Sequence, residues 1–215
     1  HVPQNWPLIA GAAVAAVVAF VLFVRRQRRM SEPLLEFSIF RNKAFTGGVL
    51  AAAFAMFTIA GAQLITTQRF QLVEGFSPLQ AGLLVAAIAL GALPSGLLGA
   101  AFLDTLGLRL IISGGLGVGA LGLLLSITAV ATDTFALLVA GFVVTGLGLG
   151  GAFSVASSAI MGNAHPRKAG MAASVEEVSY EMGSLSAVAV LGSLLTFVYA
   201  FTVQLPNGSP DAARG

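Results

Sequence analysis

Long apolar runs separated by short polar stretches set the pattern of this chain. Six such runs lie at Pro7–Val24, Thr46–Thr67, Pro78–Leu103, Leu110–Val130, Phe135–Met161 and Gly170–Phe201. A bilayer core takes about 20 apolar residues of α-helix, so each run is of spanning length or close to it. The runs do not alternate with period two in blocks of about ten residues, as strands of a membrane barrel do. The pattern therefore predicts an all-α membrane protein with six transmembrane helices. The longer runs imply tilt, or helix ends that reach past the bilayer.

The polar stretches between the runs give direction. Arg25, Arg26, Arg28, Arg29, Arg41 and Lys43 follow the first run, Arg109 follows the third, and Arg167 and Lys168 follow the fifth. Of the 11 basic residues, this leaves only Arg69 and Arg214 for the other side. The positive-inside rule makes the crowded side cytoplasmic, so both ends of this chain are expected outside. In the stretch Ser31–Ala44, Leu34, Leu35, Phe37, Ile39 and Phe40 alternate with Glu32, Glu36, Arg41 and Lys43. That alternation suits a short helix lying in the membrane interface, with a solvated loop as the competing reading.

Composition narrows the class. Of 215 residues, 57% are hydrophobic and only 9% are charged, against roughly 25% charged in soluble domains. So few charges exclude a soluble enzyme, a disulfide-built secreted module or a disordered segment. Small residues recur inside the runs: Gly82, Gly91, Gly96 and Gly99 in the third, Gly114, Gly115, Gly117, Gly119 and Gly122 in the fourth, and Gly146, Gly148, Gly150 and Gly151 in the fifth. They let helix backbones approach closely where lipid supplies no hydrophobic drive. Pro94 removes one backbone donor from the third run and is expected to kink it.

The acids single out one helix. Glu32 and Glu36 fall in the second polar stretch, Glu74, Asp133 and Asp211 in outer loops, and Asp104 at the inner end of the third run. Glu176, Glu177 and Glu181 lie within the sixth. With a helix start near Ala169, a rise of about 1.5 Å per residue puts them roughly 10 to 18 Å along it. A carboxylate at membrane depth is costly and marks a candidate functional site. Glu177 and Glu181, four residues apart, share a face, and Tyr180 shares one with Glu176. Such acids can bind and release protons or attract a cation. The competing reading places Glu176 and Glu177 near a helix N-terminus, where the dipole favours acids. No zinc-ligand spacing, nucleophile elbow or phosphate-binding loop is present, so no metal, catalytic residue or cofactor is expected.

Four stretches together resemble one family. PLLEFSIFRNKAF (Pro33–Phe45) resembles the cytoplasmic link before the carboxy-terminal bundle of fourteen-helix drug:proton antiporters of the major facilitator superfamily. QLVEGFSPLQAGL (Gln71–Leu83) resembles an outer turn of that bundle. Asp104-x-x-Gly107-x-Arg109 resembles a degraded copy of the superfamily's cytoplasmic motif, with Ala100 where a glycine is usual. GNAHPRKAGMAASVEEVSYEMGSLSAVAVLGSL (Gly162–Leu194) is similar to the family's loop and penultimate helix. Its double acid followed by Tyr180-Glu181-x-Gly183 resembles the subgroup that exports quaternary ammonium compounds. The resemblance covers about residues 5–205.

The resemblance implies an inserted transmembrane helix and cytoplasmic link over residues 1–45. It implies five helices of an incomplete carboxy-terminal bundle over 46–204, and the start of an outer loop over 205–215. It also implies that an amino-terminal half and a final helix of the same polypeptide complete the transporter. The implied activity is efflux of lipophilic cationic drugs, such as quaternary ammonium compounds and dyes, from the bacterial cytoplasmic membrane. Protons rather than a cofactor would drive it. Glu176, Glu177 and Glu181 would couple protons and bind the cation, Tyr180 would face the cavity, and Asp104, Gly107 and Arg109 would form a gating motif, with Arg109 as the contact of Asp104. Some members that handle dications carry an acid in the third run, whereas Leu90-Gly91-Ala92-Leu93 has none here, which puts dication transport in doubt. An exporter of another antibiotic or metabolite and a non-transporting membrane scaffold are the alternatives. No nucleic-acid partner is expected.

Overall fold

A computed structural model describes residues 6–27, 37–72 and 74–204 of the chain. These residues form six long helices and two short 3-10 helices, and contain no strand. The chain divides into two units between Arg41 and Asn42.

The first unit contains α1 (Trp6–Gln27), with Arg25 and Arg26 in its last turn, and a 3-10 helix at Phe37–Arg41. The expected interfacial helix is therefore a single tight turn over its described part. Ser31–Glu36, and with them Glu32, Leu34 and Leu35, lie outside the described residues.

The second unit contains α2 (Lys43–Leu72), α3 (Pro78–Ala101), α4 (Leu103–Ala131), α5 (Phe135–Gly162) and α6 (Ala169–Gln204). All five are long and apolar enough to cross a membrane. Their ends follow local chemistry. Asn42 Oδ1 accepts from the Ala44 amide at 2.9 Å, which starts α2 ahead of the apolar run. Ser77 and Gln80 form a reciprocal capping box, with Pro78 in the first turn, and so begin α3 where the sequence predicts.

Short connections make consecutive helices run in opposite directions. Lys43, Arg109, Arg167 and Lys168 thus collect at one end of the unit, while Arg69, Glu74 and Asp133 lie around one small cleft at the other. At the basic end, Asn42 Nδ2 donates to Asn163 Oδ1 at 3.0 Å and ties the start of α2 to the end of α5. At the opposite end, Arg69 pairs with Glu74 at 3.4 Å.

Helix α5 is the centre of the unit, packed against α2, α3 and α4, while α6 packs chiefly on α2. Phe142, Thr145, Leu149, Val155, Ala156 and Ile160 are all buried on it. Thr145 returns its hydroxyl proton to the Gly141 carbonyl at 2.8 Å, so this buried polar group is satisfied within its own helix. Glycine permits the close packing. A Cβ at Gly99 would lie 2.9 Å from Gly151 Cα, and one at Gly115 would lie 2.5 Å from the Gly148 carbonyl oxygen. Gly82, Gly114 and Gly117, by contrast, have open space around them, so their part of the small-residue pattern is not used for contact in this unit.

The fourth run differs from expectation at its start. Helical structure begins at Leu103 rather than Leu110, but Gly107 breaks it with φ 76° and ψ 156°. That backbone region is essentially restricted to glycine. Helix α3, in contrast, is continuous through Pro94.

Candidate acidic site on the last helix

The seam between α6 and α2 is lined by Ala172, Val175, Ser179, Gly183 and Ala187, all buried. Their spacing of three or four residues is one face of a helix. At Gly183 the backbones nearly touch, and an added Cβ would collide with the Ala53 carbonyl of α2. This seam fixes the rotation of α6 and hence the direction of each acid.

Glu176 borders the seam and is half-buried. Glu177 and Glu181 are exposed. Glu181 follows Ala172 by nine residues, which at 3.6 residues per turn places it about 180° around the helix from that buried alanine. Val178, Met182 and Leu185, between 58% and 61% exposed, form an apolar stripe beside the two acids. The uncovered face of α6 therefore presents two carboxylates next to hydrophobic surface.

The three acids are the eighth, ninth and thirteenth residues of α6, and its first turn contains no acid. The dipole effect fades within the first turn, so it does not account for them.

The tyrosine behaves differently from the two exposed acids. Tyr180 Oη donates a hydrogen bond to Glu176 Oε1. The Tyr180 ring stacks on Phe153 of α5, with centroids 4.6 Å apart and planes inclined by 17°. Tyr180 thus packs against α5 and holds Glu176, while Glu177 and Glu181 are exposed. The structure brings Glu177 and Glu181 to one face, as their spacing predicts, and separates Glu176 from them. Phe153 has no polar atom to mark it in an apolar helix, so the sequence alone does not single it out.

The inner motif is placed without the pairing expected of it. Asp104 and Arg109 are both exposed and form no ion pair with each other. The backbone break at Gly107 lies between them and leads the two side chains off separate helical segments. Gly107 itself is required by its conformation.

A groove of about 420 Å³ also runs along α2, lined by Phe57, Ile65, Phe70, Ile127 and Phe142 among others, with Arg69 at one end. Its lining carries no acid, so it offers a cation nothing comparable to the face of α6.

Comparison with known proteins agrees with these features. Residues 4–187 match the family model described as Major Facilitator Superfamily. The chain is 32% identical over 206 residues to the multidrug efflux pump LfrA of Mycolicibacterium smegmatis, covering 96% of this chain and 41% of that protein. It is 32% identical over 211 residues to the methyl viologen resistance protein SmvA of Salmonella typhimurium, covering 95% of this chain and 40% of the relative. Identity is 30% over 194 residues to the quinolone resistance protein NorB of Staphylococcus aureus, covering 89% and 41%. No solved structure matches. The chain thus spans about two-fifths of the length of these relatives. An all-helical unit of long apolar helices, a family match across most of the chain and relatives of this kind together establish it as an integral membrane protein that belongs to the Major Facilitator Superfamily.

Proposed function

We propose that this chain is part of a multidrug exporter that expels lipophilic cations, such as quaternary ammonium compounds and dyes, in exchange for protons. The observation that carries the reading is the placement of Glu177 and Glu181 on the uncovered face of α6. Carboxylates at this depth need a water-filled cavity, an ionic partner or a proton. Their helix offers no partner, because no Lys or Arg lies within Ala169–Gln204. Helix α5 carries no ionisable residue at all, and Arg69 is paired with Glu74 at the far end of α2. No ion pair of Glu177 or Glu181 is seen among the described residues, so in this reading they are neutralised from outside this unit. A proton or a cationic substrate serves equally, and competition between the two is what antiport needs. The apolar stripe of Val178, Met182 and Leu185 beside the acids suits a cation with a hydrophobic body.

The relatives named for multidrug efflux, methyl viologen resistance and quinolone resistance support export of foreign compounds over a scaffold role. Three acids inside one apolar helix point the same way, since assembly alone does not need them. In this reading the amino-terminal half and final helix expected from the family resemblance supply the opposite wall of the cavity. The basic end faces the cytoplasm, and the protein resides in the bacterial cytoplasmic membrane.

Resistance tests the reading in the full-length protein. Glu177→Gln and Glu181→Gln, expressed at wild-type abundance, should each lower the tolerated concentration of a quaternary ammonium compound severalfold or more. Wild-type resistance in both single variants and in the double variant would contradict it.

A further inference from the structure

We propose that Tyr180, backed by Phe153, is a positioning residue that holds Glu176 in place and so gives it a different task from Glu177 and Glu181. The inference rests on the antiport reading for its functional consequence but on the geometry alone for the positioning.

Two matched stripes carry it. On α6, Glu176 and Tyr180 are four residues apart and hydrogen-bonded through Tyr180 Oη. On α5, Phe153 and Ser157 are likewise four apart, with the Phe153 ring stacked on Tyr180 at 4.6 Å and Ser157 beside the phenol. Stacking restricts the tyrosine ring, and a restricted ring holds its hydroxyl at one place. Glu176 is then held by a donor whose own position is set from the neighbouring helix. Neither exposed acid has such a donor among the described residues: no side-chain hydrogen bond or ion pair holds Glu177 or Glu181. The ionisable groups around the phenol are Glu176 and Glu177 of its own helix, with Glu181 one residue on. Helix α5 supplies none.

The functional consequence is a division of labour. With Glu176 held by the phenol, exchange falls to Glu177 and Glu181, and Glu176 acts as a fixed acceptor. Tyr180 is then not a cavity-facing substrate contact.

Carbodiimide modification tests the positioning without requiring transport. Purified full-length protein in lipid is treated with dicyclohexylcarbodiimide, and adducts at Glu176, Glu177 and Glu181 are quantified by peptide mass spectrometry. In the wild type, Glu176 should be modified several times less than Glu177 and Glu181. Tyr180→Phe, which keeps the ring and removes the hydroxyl, should raise modification of Glu176 severalfold and leave the other two within twofold. Phe153→Leu, which keeps the hydroxyl but removes the stack, should give an intermediate rise. Equal modification of all three acids in the wild type, or no selective rise at Glu176 in Tyr180→Phe, would overturn the positioning. A second readout addresses the consequence. Protons released on binding tetraphenylphosphonium should increase in Tyr180→Phe, by up to one per drug, and Glu176→Gln should abolish the increase. An unchanged count alongside a selective rise in adducts would overturn the division of labour while leaving the positioning intact. No drug-induced release even in the wild type would instead count against the antiport reading, with the adduct pattern still deciding the positioning.

Discussion

At the scale of residues, direction decides what an acid can do. Glu176 and Glu177 are adjacent in sequence, yet about 100° of helix rotation leaves one half-buried under the Tyr180 phenol and the other exposed. Spacing alone foretells that Glu177 and Glu181 share a face and that Tyr180 accompanies Glu176, because four-residue separations on a helix need no tertiary information. Which of the two faces is covered is a tertiary fact, set by the buried line from Ala172 to Ala187 against α2. The contribution of Phe153 was illegible for the same reason, since its partner lies 27 residues away on another helix. Gly107 gives a prediction at this scale. Its φ of 76° with ψ of 156° is closed to residues with a Cβ, so Gly107→Ala should destabilise the protein by about 1–3 kcal/mol. A lower midpoint in detergent thermal unfolding would show this. Asp104→Asn should instead keep the wild-type midpoint and abundance but reduce transport, because Asp104 is exposed and holds nothing together within this unit. Transport at wild-type rate would remove Asp104 from the gating motif.

At the scale of elements, backbone approach is the main adhesive. Apolar side chains gain little by leaving lipid for each other, so helices hold together where their surfaces fit closely. The fit is local, as the glycines show. Gly183→Ala would drive a methyl group into the Ala53 carbonyl and should separate α6 from α2, at a cost of about 1–3 kcal/mol. Gly192→Ala, on the same helix with open space around it, should be close to neutral. Thermal unfolding of both variants checks the contrast, and equal effects would contradict this packing of α6. The sequence locates all six helices because long apolar runs are strong signals. It misplaces some ends, because an end depends on single capping groups. Ser77-Pro78-Leu79-Gln80 is a recognisable start, and α3 begins there. Asn42 extends α2 by three residues beyond the apolar run, through a cap that hydrophobicity does not register.

At the scale of the whole molecule, the five helices α2 to α6 form a unit whose most polar membrane-depth surface is uncovered. That surface makes sense as one wall of a cavity in a longer polypeptide, consistent with a chain about two-fifths the length of its relatives. Orientation can be tested simply, because the sequence has no cysteine. Single cysteines at Lys168 and Asp133 should react with a membrane-impermeant maleimide from opposite sides, with Lys168 cytoplasmic. Reaction from the same side would contradict the up-and-down arrangement, and Lys168 labelled from outside would reverse the orientation. The central claim is that the uncovered acids of α6 exchange protons for a cation. Drug-induced proton release from the purified full-length protein, measured with a pH-sensitive dye in weakly buffered solution, tests it most directly. The account predicts release from the wild type on adding tetraphenylphosphonium, reduced release from Glu177→Gln or Glu181→Gln, and none from the double variant. Undiminished release from the double variant would contradict it.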